Sequence, residues 1–160
     1  MKNKNTDANI AYFNNLFHHS SDIKILKNQV LYEKKMEDII VVYCEGLINS
    51  DLLIDSLLPD IQRSYKLNGV KGLNTLSYSE TANFVKQDPS VDQKILEKVF
   101  EGYTVILINR IVYFFNTADP PKRSPEESAS EVSVKGPRDA FVEDITSNIA
   151  LVRKRLKTGS

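Results

Sequence analysis

Apolar residues recur at helical spacing in some stretches of this chain and run unbroken in others, and the two patterns predict different elements. Ile10, Phe13, Leu16 and Phe17 predict an amphipathic helix over residues 7–19, with Asp7 as its N-cap. Residues 20–22 break that pattern. Residues 23–32 then mix apolar and polar side chains without a clean period, which points to a short helix or turn. Ile39-Ile40-Val41-Val42-Tyr43-Cys44 is unbroken and mostly β-branched, with charge before it and Glu45-Gly46 after. It predicts a central strand covered on both faces.

Asn49, Ser50 and Asp51 offer cap chemistry. Leu52, Leu53, Leu57, Leu58 and Ile61 follow as an apolar helix face that Pro59 interrupts, giving one kinked helix or two short ones. Asn68-Gly69 and Gly72 mark a loop. Ser77 and Glu80 have the spacing of a capping box, which predicts another short helix ending before Pro89. Val91, Ile95, Leu96, Val99 and Phe100 form one face of a helix that Gly102 terminates. Val105-Ile106-Leu107-Ile108 and Ile111-Val112-Tyr113-Phe114-Phe115 flank Asn109-Arg110, the two-residue spacing of a tight hairpin. Pro120, Pro121 and Pro125 make residues 118–130 a surface loop, and Val132 and Val134 alternate with polar residues as in a short half-exposed strand. Phe141, Ile145, Ile149, Val152 and Leu156 then form a helical stripe after Gly136-Pro137. Asp139, Glu143 and Asp144 lie near its start and Arg153, Lys154, Arg155 and Lys157 near its end, as the helix dipole favours.

Charge and composition exclude more than they assign. Over 160 residues, 21 Lys and Arg balance 21 Asp and Glu, so no net field favours nucleic acid, and 41% apolar residues suit a folded domain. The apolar runs fall well short of the roughly 20 residues needed to cross a bilayer, no secretory signal opens the chain, and the lone Cys44 fits a reducing, cytosolic setting. His18-His19 lacks further ligands at metal-binding spacing. Cys44 reads as packing within a strand, and Gly69-Val70-Lys71-Gly72 as an ordinary loop with no GK[ST] behind it. Asp51, Asp55 and Asp60 are explained by capping and dipole compensation. Tyr12, Phe13 and Phe17 lack the basic groove of a nucleobase platform. Arg153, Lys154, Arg155 and Lys157 suit either a solvated helix end or lipid headgroups. No nucleophile, base and orienting group assemble from this inventory, so no enzyme, cofactor or metal is expected.

The segment from Val134 to Leu156 resembles the signature of the GerA family, the A subunits of spore germinant receptors: GPR followed by an acid, then F-x-E-D, Asn-x-Ala-Leu and a basic cluster. Upstream, the apolar strand ending near Tyr43, the helices after it and the second pair of apolar strands fit the same frame, so the resemblance covers about residues 37–157. The motif positions carried over are Gly136, Pro137, Arg138, Asp139, Phe141, Glu143, Asp144, Asn148, Ala150, Leu151 and Arg153. Arg110 and Ala140 stand where the family often has Gly. The resemblance implies the first of two related α/β halves of a cytosolic N-terminal region, ahead of transmembrane helices. It also implies a receptor of A, B and C subunits in the inner spore membrane that senses small nutrients and triggers ion release. The partners implied are the second half of the same region and the B and C subunits, with self-association as a further option; the membrane is met only through the transmembrane part.

The expected architecture is α/β: a small mixed β-sheet with residues 39–44 and 104–108 central and paired in parallel, 111–115 beside them, helices on its faces, and a C-terminal amphipathic helix. The expected organisation is an N-terminal helical segment 1–36, an α/β core 37–135, a motif helix 136–158, and Gly159-Ser160 as a cloning remnant. Arg138, Glu143 and Asn148 remain after capping and stripe positions are explained, which makes them candidates for contact with the other half or a neighbouring subunit. The leading expectation is a module for receptor assembly and gating. The alternative is a half-domain that closes on a small molecule and would need a polar pocket near Glu45 and Asn109.

Overall fold

The computed structural model describes residues 4–76, 79–119 and 152. In chain order these form α1 (Lys4–Leu16), β1 (Ile23–Tyr32), β2 (Lys35–Cys44), a π-helical stretch (Leu52–Leu57) continuing into α2 (Leu58–Asn68), α3 (Val70–Leu73), β3 (Ser79–Asn83), α4 (Pro89–Phe100), β4 (Tyr103–Ile108) and β5 (Ile111–Asn116). The strands make one five-stranded sheet in the order β1-β2-β4-β5-β3, antiparallel at every pairing.

The double-sided burial read from residues 39–44 is present. Ile40, Val42 and Cys44 face a core shared with Phe13 and Phe17 of α1 and its end, and with Ile95, Val99 and Phe100 of α4. Ile39 and Val41 face the opposite core, with Leu53, Ile61, Tyr65 and Leu73. Full burial of each such aliphatic side chain stabilises by roughly 1.5–3 kcal/mol, so β2 holds both layers together. The Asn109-Arg110 turn has φ of 46° and 63°, the left-handed pair that a tight hairpin of this twist requires. In α4, Pro89 occupies the first turn and Asp88 caps the helix by accepting from the Ser90 amide at 3.0 Å. Leu58 N–H donates to the Leu53 carbonyl, the wider π spacing, one residue before Pro59, which has no amide to continue an α-helical ladder.

Four expectations are corrected. Residues 23–32 are a strand, β1, paired with β2 over all ten positions from Ile23↔Cys44 to Tyr32↔Lys35. Its period is blurred because the covered face changes along its length. Ile23 and Ile25 pack towards α1, whereas Val30 and Tyr32 pack towards α2. The turn joining it to β2 is Glu33-Lys34, with φ of 46° and 65°, and offers none of the usual Gly, Asn or Asp. The predicted helix after residue 77 is instead β3, with Glu80 opposite Phe114. The sheet is not mixed: β2 and β4 run antiparallel, from Ile40↔Leu107 to Val42↔Val105. Their connection is not one helical crossover, because it lays down β3 at the far edge before α4 leads into β4. Finally, α1 begins by Lys4 and ends at Leu16, which places Asp7 in its first turn instead of at the cap.

The expected strand at 131–135 and the amphipathic helix of 136–158 lie outside the described residues, apart from Val152, which is helical and exposed. Among the described residues no helix is long and apolar enough to cross a membrane.

Candidate functional site

β1 and β2 remain paired to the tip of their hairpin, but the ladder between β2 and β4 stops at Ile40↔Leu107. Beyond that point β2 diverges from the β4–β5 turn. The gap, closed on one side by the first turns of α1, is a cleft of about 410 Å³ opening to solvent. Asn9, Met36, Glu37, Asp38, Asn109 and Arg110 are among its lining residues.

Two polar clusters hold the walls in place. In the first, the Asn109 side-chain amide donates to Glu37 Oε2 at 3.0 Å and to the Tyr65 hydroxyl oxygen at 2.7 Å, and the Tyr65 hydroxyl donates to the same Glu37 oxygen. Burial and then the Glu37 carboxylate push the Tyr65 hydroxyl well above the ordinary phenol range, so it stays protonated and donating. This closed ring ties the β4–β5 turn and α2 to β2, and it uses both amide hydrogens of Asn109. All of it lands on Oε2. Glu37 Oε1 has no hydrogen bond and no cation within ion-pair distance among the described residues.

The second cluster is centred on Asp38, whose side chain is 7% exposed. It accepts from Gln29 at 2.9 Å and Thr6 at 2.8 Å and pairs with Lys27 at 3.0 Å. Burial opposes its charge, but the hydrogen bonds from Gln29, Thr6 and Lys27 outweigh it and hold the carboxyl below its ordinary value. A lowered folded-state pKa means stability that is present above the unfolded carboxyl value of about 4 and is lost as pH falls through the folded one. Asp38→Asn is therefore expected to cost about 1–2 kcal/mol at pH 7. In urea titrations the gap between variant and wild type should close below about pH 4; a gap independent of pH would contradict the role given to the charge.

Asn9 completes the site. Its Oδ1 is buried and has no hydrogen-bond partner. Arg110, on the turn at the cleft, is exposed and makes no ion pair among the described residues.

Of the polar residues linked to a pocket from sequence, Asn109 is in the cleft. Glu45 is not: it lies past the opposite end of β2 and pairs with Lys24 at 3.1 Å. Asn9, Glu37, Asp38 and Tyr65 carry no sequence signal, because they come from α1, β2 and α2 and meet only in the fold. The motif residues Gly136, Pro137, Arg138, Asp139, Phe141, Glu143, Asp144, Asn148 and Arg153 lie outside the described residues. Cys44 is buried, its thiol 3.3 Å from Asp22 Oδ2. His18 and His19 are exposed, their ring centroids 3.6 Å apart. Phe13 and Phe17 are core residues, with Tyr12 packed edge-on to Phe13 and Phe84. Among the described residues no group of three His, Cys, Asp or Glu side chains could hold a metal ion.

A second junction fixes the path of the chain as it leaves the sheet. Asn49 N–H donates to the Thr117 carbonyl at 2.8 Å, Asp119 N–H to the Leu47 carbonyl at 2.9 Å, and the Thr117 hydroxyl to the Gly102 carbonyl at 3.0 Å. The backbone is thus fastened on both sides of Ala118, immediately before residue 120.

These features define a small α/β lobe with a polar cleft at a strand divergence and an anchored exit, a build suited to binding and assembly. The family described as Bacillus/Clostridium GerA spore germination protein matches residues 11–160, and the chain belongs to it. Membership places the chain among receptor components and not among enzymes. It is 30% identical over 147 residues to "Spore germination protein XA" of Bacillus anthracis, covering 90% of this chain and 30% of that protein. To "Spore germination protein KA" of Bacillus subtilis (strain 168) it is 24% identical over 141 residues, covering 86% of this chain and 26% of that one. The chain thus spans under a third of the length of these curated relatives. In fold it is similar to the N-terminal domain of the A subunit of the Bacillus megaterium spore germinant receptor GerK3, with a TM-score of 0.58 at 21% identity, covering 96% of this chain and 55% of that one.

Proposed function

We propose that this lobe is the first half of the N-terminal region of a germinant receptor A subunit, on the cytosolic face of the inner spore membrane. There it packs against the second half and against the B and C subunits, and passes a conformational signal between them. The observation that carries this reading is the fold similarity, which covers 96% of this chain but 55% of an A-subunit N-terminal domain and so leaves room for a second lobe beside it. The anchored exit at Thr117 and Asp119 supports it, since a fixed departure point gives the next segment a defined direction.

Residues 136–158 are the proposed connecting helix, begun by Gly136-Pro137. Arg138, whose planar fork suits a carboxylate, makes the directional contact to the neighbouring half or subunit, with Glu143 and Asn148 beside it in the motif. Arg138→Ala is expected to leave unfolding of the 160-residue protein within about 0.5 kcal/mol of wild type. In spores carrying the full-length subunit, the same change should lower recovery of B and C with A and slow germination. Normal receptor levels together with normal germination would remove the proposal.

A second reading, that the lobe also binds a small molecule, is favoured by one observation: a cleft of about 410 Å³, within the range of ligand sites, lined by an orphaned buried acceptor.

A further inference from the structure

We infer that the cleft between β2 and the β4–β5 turn is a binding site for a small organic ammonium ion, held through Glu37 Oε1 and Asn9 Oδ1; the inference rests on the small-molecule reading above and names its ligand class.

The cleft leaves hydrogen-bond acceptors unsatisfied. A buried acceptor without a donor costs roughly 1–3 kcal/mol, and most such atoms in folded proteins are paired. Asn9 Oδ1 is unpaired, and it lines the same cleft as Glu37. The two carboxylates of the cleft differ in kind. Asp38 is neutralised by Lys27 and saturated by Thr6 and Gln29. Glu37 receives only neutral donors, Tyr65 and Asn109, and both reach its Oε2. Those two bonds fix the carboxylate and leave Oε1 and the negative charge uncommitted. A fixed anion and an orphaned neutral acceptor in one cleft call for a ligand group with a positive charge and more than one N–H. A primary ammonium has both, whereas a carboxylate or phosphate would meet acceptors only.

The remaining surroundings narrow the class. Arg110 at the turn disfavours a second positive charge on the same ligand, and Ile40 and Leu107 at the closed end, with Met36, accommodate a short apolar body. The site is therefore shaped for one ammonium on a small organic frame. It is not a site for a metal ion, for which the described residues offer no cluster of three His, Cys, Asp or Glu.

The test is a two-dimensional NMR titration of the isotope-labelled 160-residue protein at constant ionic strength, read at the side-chain amides of Asn9 and Asn109. The probes are ethylammonium chloride, sodium acetate and glycerol. Ethylammonium is expected to shift both amides saturably with half-effect below about 20 mM, a weak single-group affinity. Acetate is expected to leave them unmoved. Glu37→Gln keeps an acceptor for Tyr65 and Asn109 but removes the charge, and should weaken ethylammonium about tenfold or more. Asn9→Ala keeps a good helix former in α1 and should weaken it as well, read at Asn109. No saturable shift with ethylammonium, or equal binding to wild type and both variants, would overturn the assignment. Saturable shifts with glycerol alone would overturn the ammonium class while leaving small-molecule binding in place. Silence from all three probes would sink both.

Discussion

Truncation of Phe100 to alanine is expected to destabilise the lobe by about 3–5 kcal/mol, the cost of emptying an aromatic site in a packed core. Phe100 is fully buried at the end of α4 and meets Phe17, just beyond α1, edge-on with ring centroids 6.0 Å apart. Its removal therefore loosens both helices on that side of the sheet, and neither can slide in to fill the space without leaving β2. A domain of this size has only about 5–15 kcal/mol of total stability, so the loss is a large share of it. Thermal unfolding should fall by roughly 10 °C or more. The control is Leu67→Ala on α2, where the side chain is 71% exposed and the change should stay within about 0.5 kcal/mol. A Phe100 variant that unfolds within about 1 kcal/mol of wild type would show that this side of the core is not packed as described.

Legibility in the sequence divides along a physical line between local and non-local information. β2, α4 and the β4–β5 hairpin are legible because each declares itself within its own residues: an unbroken β-branched run, a 3.6-residue stripe, two apolar runs two residues apart. β1 is not, because Leu26 and Leu31 are left exposed while Ile25 and Val30 are covered by different helices, so neither period is kept. β3 is hidden for the opposite reason. Ser79–Asn83 has little strand propensity of its own and is a strand because β5 offers it a partner. Its Glu80, at capping-box spacing from Ser77, instead pairs with Lys98 of α4 at 3.1 Å.

The cleft lies further still from local information. Asn109 and Glu37 are 72 residues apart, and their meeting depends on the early end of the β2–β4 ladder, which no pattern along the chain announces. Sequence motif and structural site also fall in different places. The family signature begins near residue 134, after the anchored exit, whereas the cleft is built from residues before 111. The lobe thus carries a polar site at one end of β2 and its connection to the next segment near the other, where Leu47 and Ile48 meet Ala118 and Asp119. In the proposed receptor role, coupling between the two runs along β2, the strand buried on both faces.

That connection is the place where one added carbon should do most harm. Gly102 has φ of +89°, and a Cβ there would lie 2.7 Å from the Leu47 carbonyl oxygen, 2.8 Å from Ala118 Cβ and 2.9 Å from Ala118 Cα. The backbone conformation alone costs a non-glycine residue roughly 1–2 kcal/mol. The contacts add to this, because two of the three atoms are backbone and cannot rotate away. Leu47 O is committed to the Asp119 amide at 2.9 Å, and Ala118 bridges Ile48, so relief of the clash must break the fastening of the exit. Gly102→Ala is accordingly expected to lose about 3 kcal/mol or more in denaturant titrations, with Gly102→Val worse because a β-branched side chain tolerates positive φ least. Ala118→Gly in the Gly102→Ala background should return only part of the loss, since it removes the Cβ contact and leaves the two backbone contacts in place. Full rescue would mean that the junction yields at a side chain, and an undisturbed Gly102→Ala protein would mean that the exit of the chain is not held at Leu47 at all.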